Sequence, residues 1–210
     1  IAAARLIPEN SFSDRFLISE WDQVVDGWQG RSWEAYRDVL RLGRKTRLAE
    51  SKRKGIWNIL SQVREQLKSD GVKTISEMFG ELAAQLKASS SLPFDYAVID
   101  EAQDVSVAQL RFLAALNQRE SDSLFFAGDL GQRIFQQPFS WKALGADIRG
   151  RSFSLKINYR TSHQIRMKAD KLLGPEVADV DGIIENRRGT ISVFNGPNPT
   201  LLTFDSEAEE

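Results

Sequence analysis

The stretch FDYAVIDEAQD, Phe94 to Asp104, changes character abruptly, because an apolar run ends in three acids, two of them adjacent. The segment YAVID has the length and composition of a buried β-strand. Ligands bind at the carboxyl ends of strands in open parallel sheets. Asp100 can therefore hold Mg²⁺ there, and Glu101 can orient a water for attack on a phosphoryl group. The alternative is a plain helix N-terminus, which explains Asp104 well and the adjacent pair less well.

Two further apolar runs downstream also end in polar residues. Helical segments such as VAQLRFLAALN separate the runs, and strands that alternate with helices predict an α/β fold with a parallel sheet covered by helices. Three consecutive strand ends are then expected to bring acids, amides, an aromatic ring and an arginine to one edge, as a nucleotide site requires. The residues beyond the second and third predicted strands, in LFFAGDLGQRIF and LKINYRTS, are Gly128, Asp129, Gln132, Asn158, Tyr159 and Arg160.

The segments VIDEAQD, GDLGQRIF and LKINYRTS, in this order, resemble motifs II, III and IV of the UvrD/Rep/PcrA-like superfamily 1 DNA helicases. Three ordered motifs within residues 96–162 are a specific signal. The resemblance implies part of a RecA-like P-loop NTPase domain, with a parallel sheet and flanking helices. It also implies an ATP-dependent helicase that couples ATP hydrolysis to movement on single-stranded DNA and to unwinding of the duplex.

The resemblance carries roles onto individual residues. Asp100 would coordinate Mg²⁺, and Glu101 would activate the attacking water. Gln132 would sense the γ-phosphate of ATP, Tyr159 would stack on the adenine, and Arg160 would contact the γ-phosphate. Without the motifs, Tyr159 is interpreted as a core aromatic residue and Arg160 as half of a surface ion pair.

The phosphate-cradling loop of such enzymes, G-x-x-x-x-G-K-[ST], does not occur in the 210 residues. The nearest look-alike, LGRKT, lacks the upstream glycine and follows no predicted strand. The resemblance therefore predicts an internal piece of a longer helicase. Residues 1–91 would form a helical 1B-like subdomain, residues 92–175 the C-terminal half of motor domain 1A, and residues 176–210 the start of the second motor domain or a linker. Because that loop carries most of the triphosphate grip, this piece alone is expected to bind ATP weakly or not at all and not to hydrolyse it.

The first ninety residues are predicted to be mostly helical. Gly71 marks the end of a helix that contains IWNILSQVREQLKSD, and Thr74 with Glu77 forms a capping box that starts the next helix. Apolar residues recur at helical spacing in both helices, and they are expected to pack in a core. These apolar residues are Ile56, Leu60, Val63 and Leu67 in the first helix and Ile75, Met78, Phe79, Leu82 and Leu86 in the second.

A basic cluster lies between Arg41 and Lys54, where seven Lys or Arg residues accompany one acid. The formal net charge of the whole chain is only −1, so a basic surface is local. Such a cluster suits a nucleic-acid phosphate backbone, and a solvated helix face is an equal alternative. The candidate DNA contacts are Arg44, Lys45, Arg47, Lys52, Arg53 and Lys54.

Aromatic residues after the second motif, in IFQQPFSW, form another DNA-binding candidate. Bases of single-stranded DNA stack on aromatic side chains at about 1–3 kcal/mol per base. Phe135 stands where the better-known helicases carry tyrosine, and Gln137 with Pro138 replaces their Trp-Arg pair. Phe139 is expected in the core, whereas stacking and packing are equally open for Trp141. The remaining tryptophans, expected as packing anchors between helices, are Trp21, Trp28, Trp33 and Trp57.

The composition limits the other classes of function. The chain has no cysteine and one histidine, so disulfide partners, thiolate metal sites and histidine-based catalytic triads are poorly supported, and a reducing cytoplasm fits. No apolar run approaches the ~20 residues of a membrane span, and no membrane partner is expected. The expected partners are single-stranded or partly duplex DNA and the rest of the helicase chain. Two alternatives stay open: a non-catalytic nucleic-acid-binding or regulatory module, and the helicase part of a helicase–nuclease.

Overall fold

The computed structural model describes residues 12–42, 48–116, 122–133, 137–172, 176–204 and 206. The chain forms two compact units, which divide after Ile148. The predicted domain boundary near residue 91 falls inside the first unit, and the one near residue 175 falls inside the second.

The first unit begins with helices whose ends are fixed by polar caps. Ser13 and Ser32 each accept a hydrogen bond from the backbone N–H three residues later, which satisfies a donor that the first helical turn leaves open. A π-helical turn, Trp21–Asp26, continues the first helix without a break. The α-helices of this part are α1 (Asp14–Glu20), α2 (Trp33–Asp38), α3 (Glu50–Ser69) and α4 (Ile75–Ala88).

The connection from α3 to α4 confirms the two predicted signals. Gly71 adopts a left-handed conformation with φ of 68°, which lets the chain turn away after α3. The capping box is present, since the Thr74 hydroxyl accepts from the N–H of Glu77 at 3.1 Å and the Glu77 carboxylate accepts from the N–H of Thr74 at 3.2 Å. Both ends of this connection are thus fixed by local sequence.

Two residues of the predicted apolar stripe of α3, Ile56 and Leu60, pack in a core with α1, the π-helical turn and α2, whereas Val63 and Leu67 are only half-buried. Trp21, Trp33 and Trp57 pack against this core from its border, which confirms their prediction as packing anchors. The buried members of the core are Leu17, Val24, Val25, Tyr36, Ile56, Ile59 and Leu60.

The apolar stripe of α4 is only partly buried, so the prediction that it packs as a whole was wrong. Phe79 lies against Phe112, with ring centroids 5.4 Å apart, and Ala83 is buried. Ile75 is 70% exposed, and Met78 and Leu82 are exposed as well. The reason is geometric: the contact runs along one side of α4, and the stripe is wider than that side.

The α/β part of the first unit comprises β1 (Ala97–Ile99), α5 (Val107–Leu116) and β2 (Leu124–Phe126). β1 and β2 are parallel, and Ala97 lies opposite Leu124. Val98 is 77% exposed, so β1 is half-buried rather than fully buried as expected. A second core lies on the other face of the strands, and Trp28 packs against it. Its buried members are Ala102, Val105, Val107, Leu110, Phe139, Trp141, Leu144 and Ala146.

The second unit contains a parallel pair and an antiparallel pair of short strands. Its elements are β3 (Ile157–Asn158), α6 (His163–Ala169), β4 (Glu176–Ala178), β5 (Ile184–Asn186) and β6 (Ile191–Ser192). β3 pairs in parallel with β6, and β4 pairs antiparallel with β5. The third predicted strand, expected just before NYRTS, comprises only the two residues of β3, and Phe153 upstream of it is 93% exposed.

The α/β class is confirmed, but the single parallel sheet expected from the sequence is not what the strands form. The described strands make three two-stranded sheets, two of which are parallel. The third predicted strand finds its partner in β6, within its own unit. Across the parts of the chain that the structure describes, no helix is long and apolar enough to cross a membrane.

Candidate active site

The carboxyl ends of β1 and β2 lie side by side. The N–H of Ala127 donates to the carbonyl of Ile99 at 2.8 Å, and the N–H of Ala102 donates to the carbonyl of Ala127 at the same distance. The parallel pairing thus continues past both strands into the loops. The polar residues of VIDEAQD and GDLGQRIF are therefore neighbours, as the sequence predicted for these two strand ends.

Asp100 and Glu101 follow β1 directly, and both side chains are exposed. The N–H of Glu101 donates to Oδ1 of Asp100 at 2.9 Å, which turns the chain sharply after the strand. Glu101 takes a left-handed conformation, with φ of 50° and ψ of 42°. This conformation is uncommon for residues other than glycine, and such backbone strain concentrates at functional sites.

Asp129 organises the loop after β2. Its Oδ1 accepts from the N–H of Gly131 at 2.8 Å, and its Oδ2 accepts from Nε2 of Gln132 at 3.0 Å. An aspartate that bonds the backbone two residues on forms an Asx turn, a common way to shape such loops. The side chain of Gln132 is exposed and held by this turn. The structure thus places Gln132 beside the loop that carries Asp100 and Glu101.

Gln103 had no predicted role in this site, and Asp129 was expected at this edge without an individual role. Gln103 is buried and contacts both loops: its Nε2 donates to Oε2 of Glu101 at 2.6 Å, and its Oε1 accepts from the N–H of Asp129 at 3.1 Å. Asp129, as described above, fixes the amide of Gln132. The spacing of these residues is a signal in the sequence. Gln103 follows Glu101 by two residues and Asp129 precedes Gln132 by three, and such short separations suit side-chain contacts within turns.

Tyr159 and Arg160 follow β3 in the second unit. Oδ1 of Asn158 accepts from the N–H groups of Arg160 at 2.9 Å and Thr161 at 3.1 Å. This second Asx turn leaves Tyr159 72% exposed, and Arg160 is exposed too. Tyr159 is therefore not a core residue. The structure brings the first two predicted strand ends together, and the third, after β3, belongs to the second unit.

The basic DNA-binding candidates separate into three groups. Lys52 and Lys54, at the start of α3, are exposed. Arg53 is half-buried and its Nη1 donates to the carbonyl of Arg37 at 2.8 Å, so this arginine helps to hold α2 against α3. The others, Arg44, Lys45 and Arg47, lie outside the described residues.

The aromatic candidates do not behave alike. Trp141 is 3% exposed, and its ring meets Phe126 edge-on with centroids 4.9 Å apart. Its ring surface is used in the core, which leaves no face for a base. Phe139 is buried beside it, as expected. Phe135 lies outside the described residues.

The donors at this edge suit a magnesium ion that is shared with a substrate. Mg²⁺ is commonly held by one or two carboxylates together with phosphate oxygens and water, rather than by an all-protein cage. Asp100 and Glu101 supply exposed carboxylates of this kind. Among the residues that the structure describes, no group of three or more His, Asp or Glu side chains could hold a metal ion. An exposed carboxylate such as that of Asp100 is the kind of ligand that Mg²⁺ takes when phosphate oxygens and water complete its coordination.

This combination of parallel strands and polar strand ends is typical of nucleotide-binding α/β proteins. The family model of the UvrD/REP helicase N-terminal domain matches residues 32–148, more than half of the chain. The chain therefore belongs to the UvrD/REP helicase N-terminal domain family, and the resemblance seen in its motifs is confirmed. The match includes VIDEAQD and GDLGQRIF and ends before LKINYRTS.

The chain is also similar to an ATP-dependent helicase/nuclease subunit of Lactobacillus johnsonii (strain CNCM I-12250 / La1 / NCC 533). The two are 28% identical over 123 residues. The match covers 54% of this chain and 10% of that relative, so the chain spans about a tenth of the relative's length.

Proposed function

We propose that this chain is part of a protein that hydrolyses ATP to move along single-stranded DNA and to unwind duplex DNA. The observation that supports the proposal is the parallel pairing of β1 with β2, which sets Asp100 and Glu101 beside the turn formed by Asp129 and Gln132. This is the edge of a parallel sheet at which nucleotides bind. Family membership supports the same reading, since the family is named for helicases.

Within this site, the exposed acids take the central roles. Asp100 would hold Mg²⁺, which when bound offsets the negative charge of the phosphates. Glu101 would accept a proton from the attacking water, because its side chain is exposed at the strand end and its carboxylate is held by a hydrogen bond from Gln103. Gln132 would contact the γ-phosphate, and its hydrogen bond to Asp129 positions its amide for that contact.

Tyr159 and Arg160 keep the nucleotide roles that the resemblance implies. Tyr159 would stack on the adenine, and Arg160 would neutralise charge on the γ-phosphate. Their exposure and the turn formed by Asn158 support this assignment, since both side chains are available to a ligand while their backbone is fixed.

DNA would be held by the basic cluster at the start of α3. Lys52 and Lys54 are exposed and available to phosphates, whereas Arg53 supports the helix packing. Arg44, Lys45 and Arg47 remain predicted contacts in the same cluster, and Phe135 remains a predicted stacking residue. Trp141 is not proposed as a DNA contact, because it is buried.

The test is the ATPase activity of the full-length protein that carries this sequence, measured with and without single-stranded DNA. Glu101→Gln keeps the size of the side chain and removes the base, so turnover is expected to fall about 10²–10⁴-fold. Glu65→Gln, the same change on the exposed side of α3, is the matched control and should leave turnover unchanged. A wild-type protein without DNA-stimulated turnover contradicts the proposal, and wild-type turnover in Glu101→Gln contradicts the base assignment.

A helicase–nuclease is the second candidate, and it is favoured by the name of the Lactobacillus johnsonii relative. Any nuclease centre would lie outside these 210 residues. The same full-length protein, incubated with linear DNA and Mg²⁺, separates the two readings. Degradation of the DNA supports a helicase–nuclease, and unwinding without degradation supports a helicase alone. Binding of DNA with neither activity would indicate a non-catalytic module.

A further inference from the structure

Gln103 joins the two loops of the candidate active site through both ends of one side-chain amide. Its Nε2 donates to Oε2 of Glu101 at 2.6 Å, and its Oε1 accepts from the N–H of Asp129 at 3.1 Å. The residue is 5% exposed. Buried polar groups are costly unless they are hydrogen-bonded, and here the donor and the acceptor of the amide each have a partner on a different loop.

The partner of Gln103 on the first loop is the side chain of Glu101, whose proposed role requires a fixed position. Glu101 is exposed, and an exposed glutamate ordinarily samples several rotamers. Its backbone is already fixed in a left-handed conformation by the turn that its N–H makes with Asp100. The hydrogen bond from Gln103 adds a constraint at the other end of the side chain, on the carboxylate itself.

The partner on the second loop extends the connection to Gln132. The N–H of Asp129 bonds Gln103, while its carboxylate bonds the side-chain amide of Gln132 at 3.0 Å. A continuous path thus runs from the carboxylate of Glu101 through Gln103 and Asp129 to the amide of Gln132. The two ends of this path are the side chains proposed for water activation and for contact with the γ-phosphate.

The side-chain amide of Gln103 is closely packed against Gly128. A Cβ atom at Gly128 would lie 2.6 Å from Oε1 of Gln103 and 3.0 Å from the backbone nitrogen of Ala102. The amide therefore occupies a position that is open only because residue 128 is glycine. Close packing of this kind limits the amide to one orientation.

We propose that Gln103 is a positioning residue that holds the carboxylate of Glu101 in a fixed relation to the Asp129–Gln132 turn. This inference rests on the proposed function, because it assigns Gln103 a part in the hydrolysis of ATP through Glu101. Gln103 itself touches neither substrate nor water in this scheme. It acts by limiting where the Glu101 carboxylate lies, and misplacement of a reacting group by about 1 Å can cost on the order of 10²-fold in rate.

Exchanging the amide and the carboxylate between residues 101 and 103 tests their contact without any assay of activity. Gln103→Glu keeps the acceptor for Asp129 and sets a second carboxylate against Glu101, so the melting temperature of the full-length protein should fall by about 2–4 °C. In the double variant Glu101→Gln with Gln103→Glu, an amide again faces a carboxylate with donor and acceptor exchanged. The melting temperature should then return to that of Glu101→Gln alone, and this non-additivity isolates the pair.

Kinetics of the same proteins test the positioning role. Gln103→Glu should lower the DNA-stimulated turnover number about 10–100-fold, while its affinity for a non-hydrolysable ATP analogue stays within about twofold of wild type. In the Glu101→Gln background, Gln103→Glu should leave the residual turnover unchanged, because its action runs through the missing carboxylate. Gln109→Glu is the matched control: Gln109 accepts a hydrogen bond from the N–H of Ser106, which a carboxylate preserves, and turnover should not change.

The outcomes of these experiments test the positioning role and the Glu101–Gln103 contact separately. Wild-type turnover in Gln103→Glu, or equal loss of turnover and of analogue binding, overturns the positioning role. A fall in melting temperature that the double variant does not reverse overturns the contact itself. If Gln103→Glu fails to fold, folding of the double variant supports the proposal and its failure to fold overturns it. Full turnover in Glu101→Gln removes the proposed base instead, and the melting-temperature comparison then still tests the Glu101–Gln103 contact.

Discussion

The hydroxyl of Tyr36 donates a 2.9 Å hydrogen bond to Oε1 of Glu20, and both side chains are almost completely buried. Arg41 completes the group, since its Nη2 lies 3.1 Å from the same oxygen and its guanidinium carbon lies 4.7 Å from the centre of the Tyr36 ring. A carboxylate is tolerated inside a helical core only when such partners compensate its desolvation. Arg41, the first residue of the basic cluster, is therefore part of the core and not a candidate for binding DNA.

Arg41→Met should destabilise the protein strongly. The buried carboxylate of Glu20 would lose its guanidinium partner, and removal of one member of a buried pair costs about 3–5 kcal/mol. Lys52→Met, at an exposed position of the same basic cluster, should change the free energy of unfolding by less than about 0.5 kcal/mol. Urea unfolding of the two variants measures the difference. Similar losses in both would show that Arg41 does not stabilise the core.

The stability contributed by Tyr36 should depend on pH in the alkaline range. Burial, and after it the negative charge of Glu20, raise the pKa of Tyr36 above its ordinary value. The folded pKa exceeds the unfolded one, which lies at about 10, so the contribution is complete below about pH 10 and is lost as the pH rises towards the folded pKa. The gap in melting temperature between wild type and Tyr36→Phe should therefore shrink above about pH 10. Curves that stay parallel from neutral to alkaline pH would contradict this.

Local signals predicted the helical part of the fold well, because they depend on neighbouring residues. The capping box of Thr74 and Glu77 and the stop at Gly71 were predicted from the sequence and are present. The exposure of Ile75 and Val98 was not predicted. Apolar periodicity shows that a face of a helix or strand can be buried. Which other element covers that face, and how much of it, depends on the tertiary fold.

The sequence predicted which loops form the candidate site, but it did not predict the hydrogen bonds that join them. Apolar runs that end in polar residues predicted that Asp100 and Gln132 would lie on adjacent strand ends, and the parallel pairing of β1 with β2 places them so. The bridge through Gln103 was not predicted, since the spacing from Glu101 to Gln103 suits a turn contact but does not show that the same amide also reaches the loop of Asp129. Trp141 was open between stacking and packing because its distance from Phe126 depends on the tertiary fold.

Substitution by alanine should change the stability of the protein in opposite directions at Gly128 and at Gly55. Gly128 does not adopt a positive φ, so alanine is allowed by the backbone, but its Cβ would lie 2.6 Å from Oε1 of Gln103. The amide would have to move, and Gly128→Ala should destabilise by about 1–3 kcal/mol. Gly55 lies within α3, and a Cβ there meets no atom within 4 Å, so Gly55→Ala should stabilise by about 0.5–1 kcal/mol. Thermal unfolding of both variants checks the signs, and stabilisation by Gly128→Ala would show that the amide has room.

The 210-residue chain by itself should release no phosphate from ATP above background in the presence of Mg²⁺. Its sequence contains the acids of the candidate site but no glycine-lysine loop to cradle the phosphates, and that loop supplies most of the backbone N–H contacts to a triphosphate. A phosphate-release assay with and without single-stranded DNA makes the measurement, with Glu101→Gln as the control for contaminating ATPases. Release that Glu101→Gln abolishes would show that this chain binds and hydrolyses ATP without the loop.

Lys52 and Lys54 should contribute to DNA affinity through charge alone. Both are exposed at the start of α3, where each can neutralise one phosphate and release its counterion. In the full-length protein, changing both to alanine should weaken binding to single-stranded DNA and reduce the slope of log affinity against log salt by about 0.7 for each phosphate that is no longer neutralised. Lys68→Ala, at the exposed opposite end of the same helix, controls for the loss of a lysine from α3. Fluorescence anisotropy at several salt concentrations measures the slopes, and equal slopes for the double variant, the control and wild type would favour a solvated helix face with no part in DNA binding.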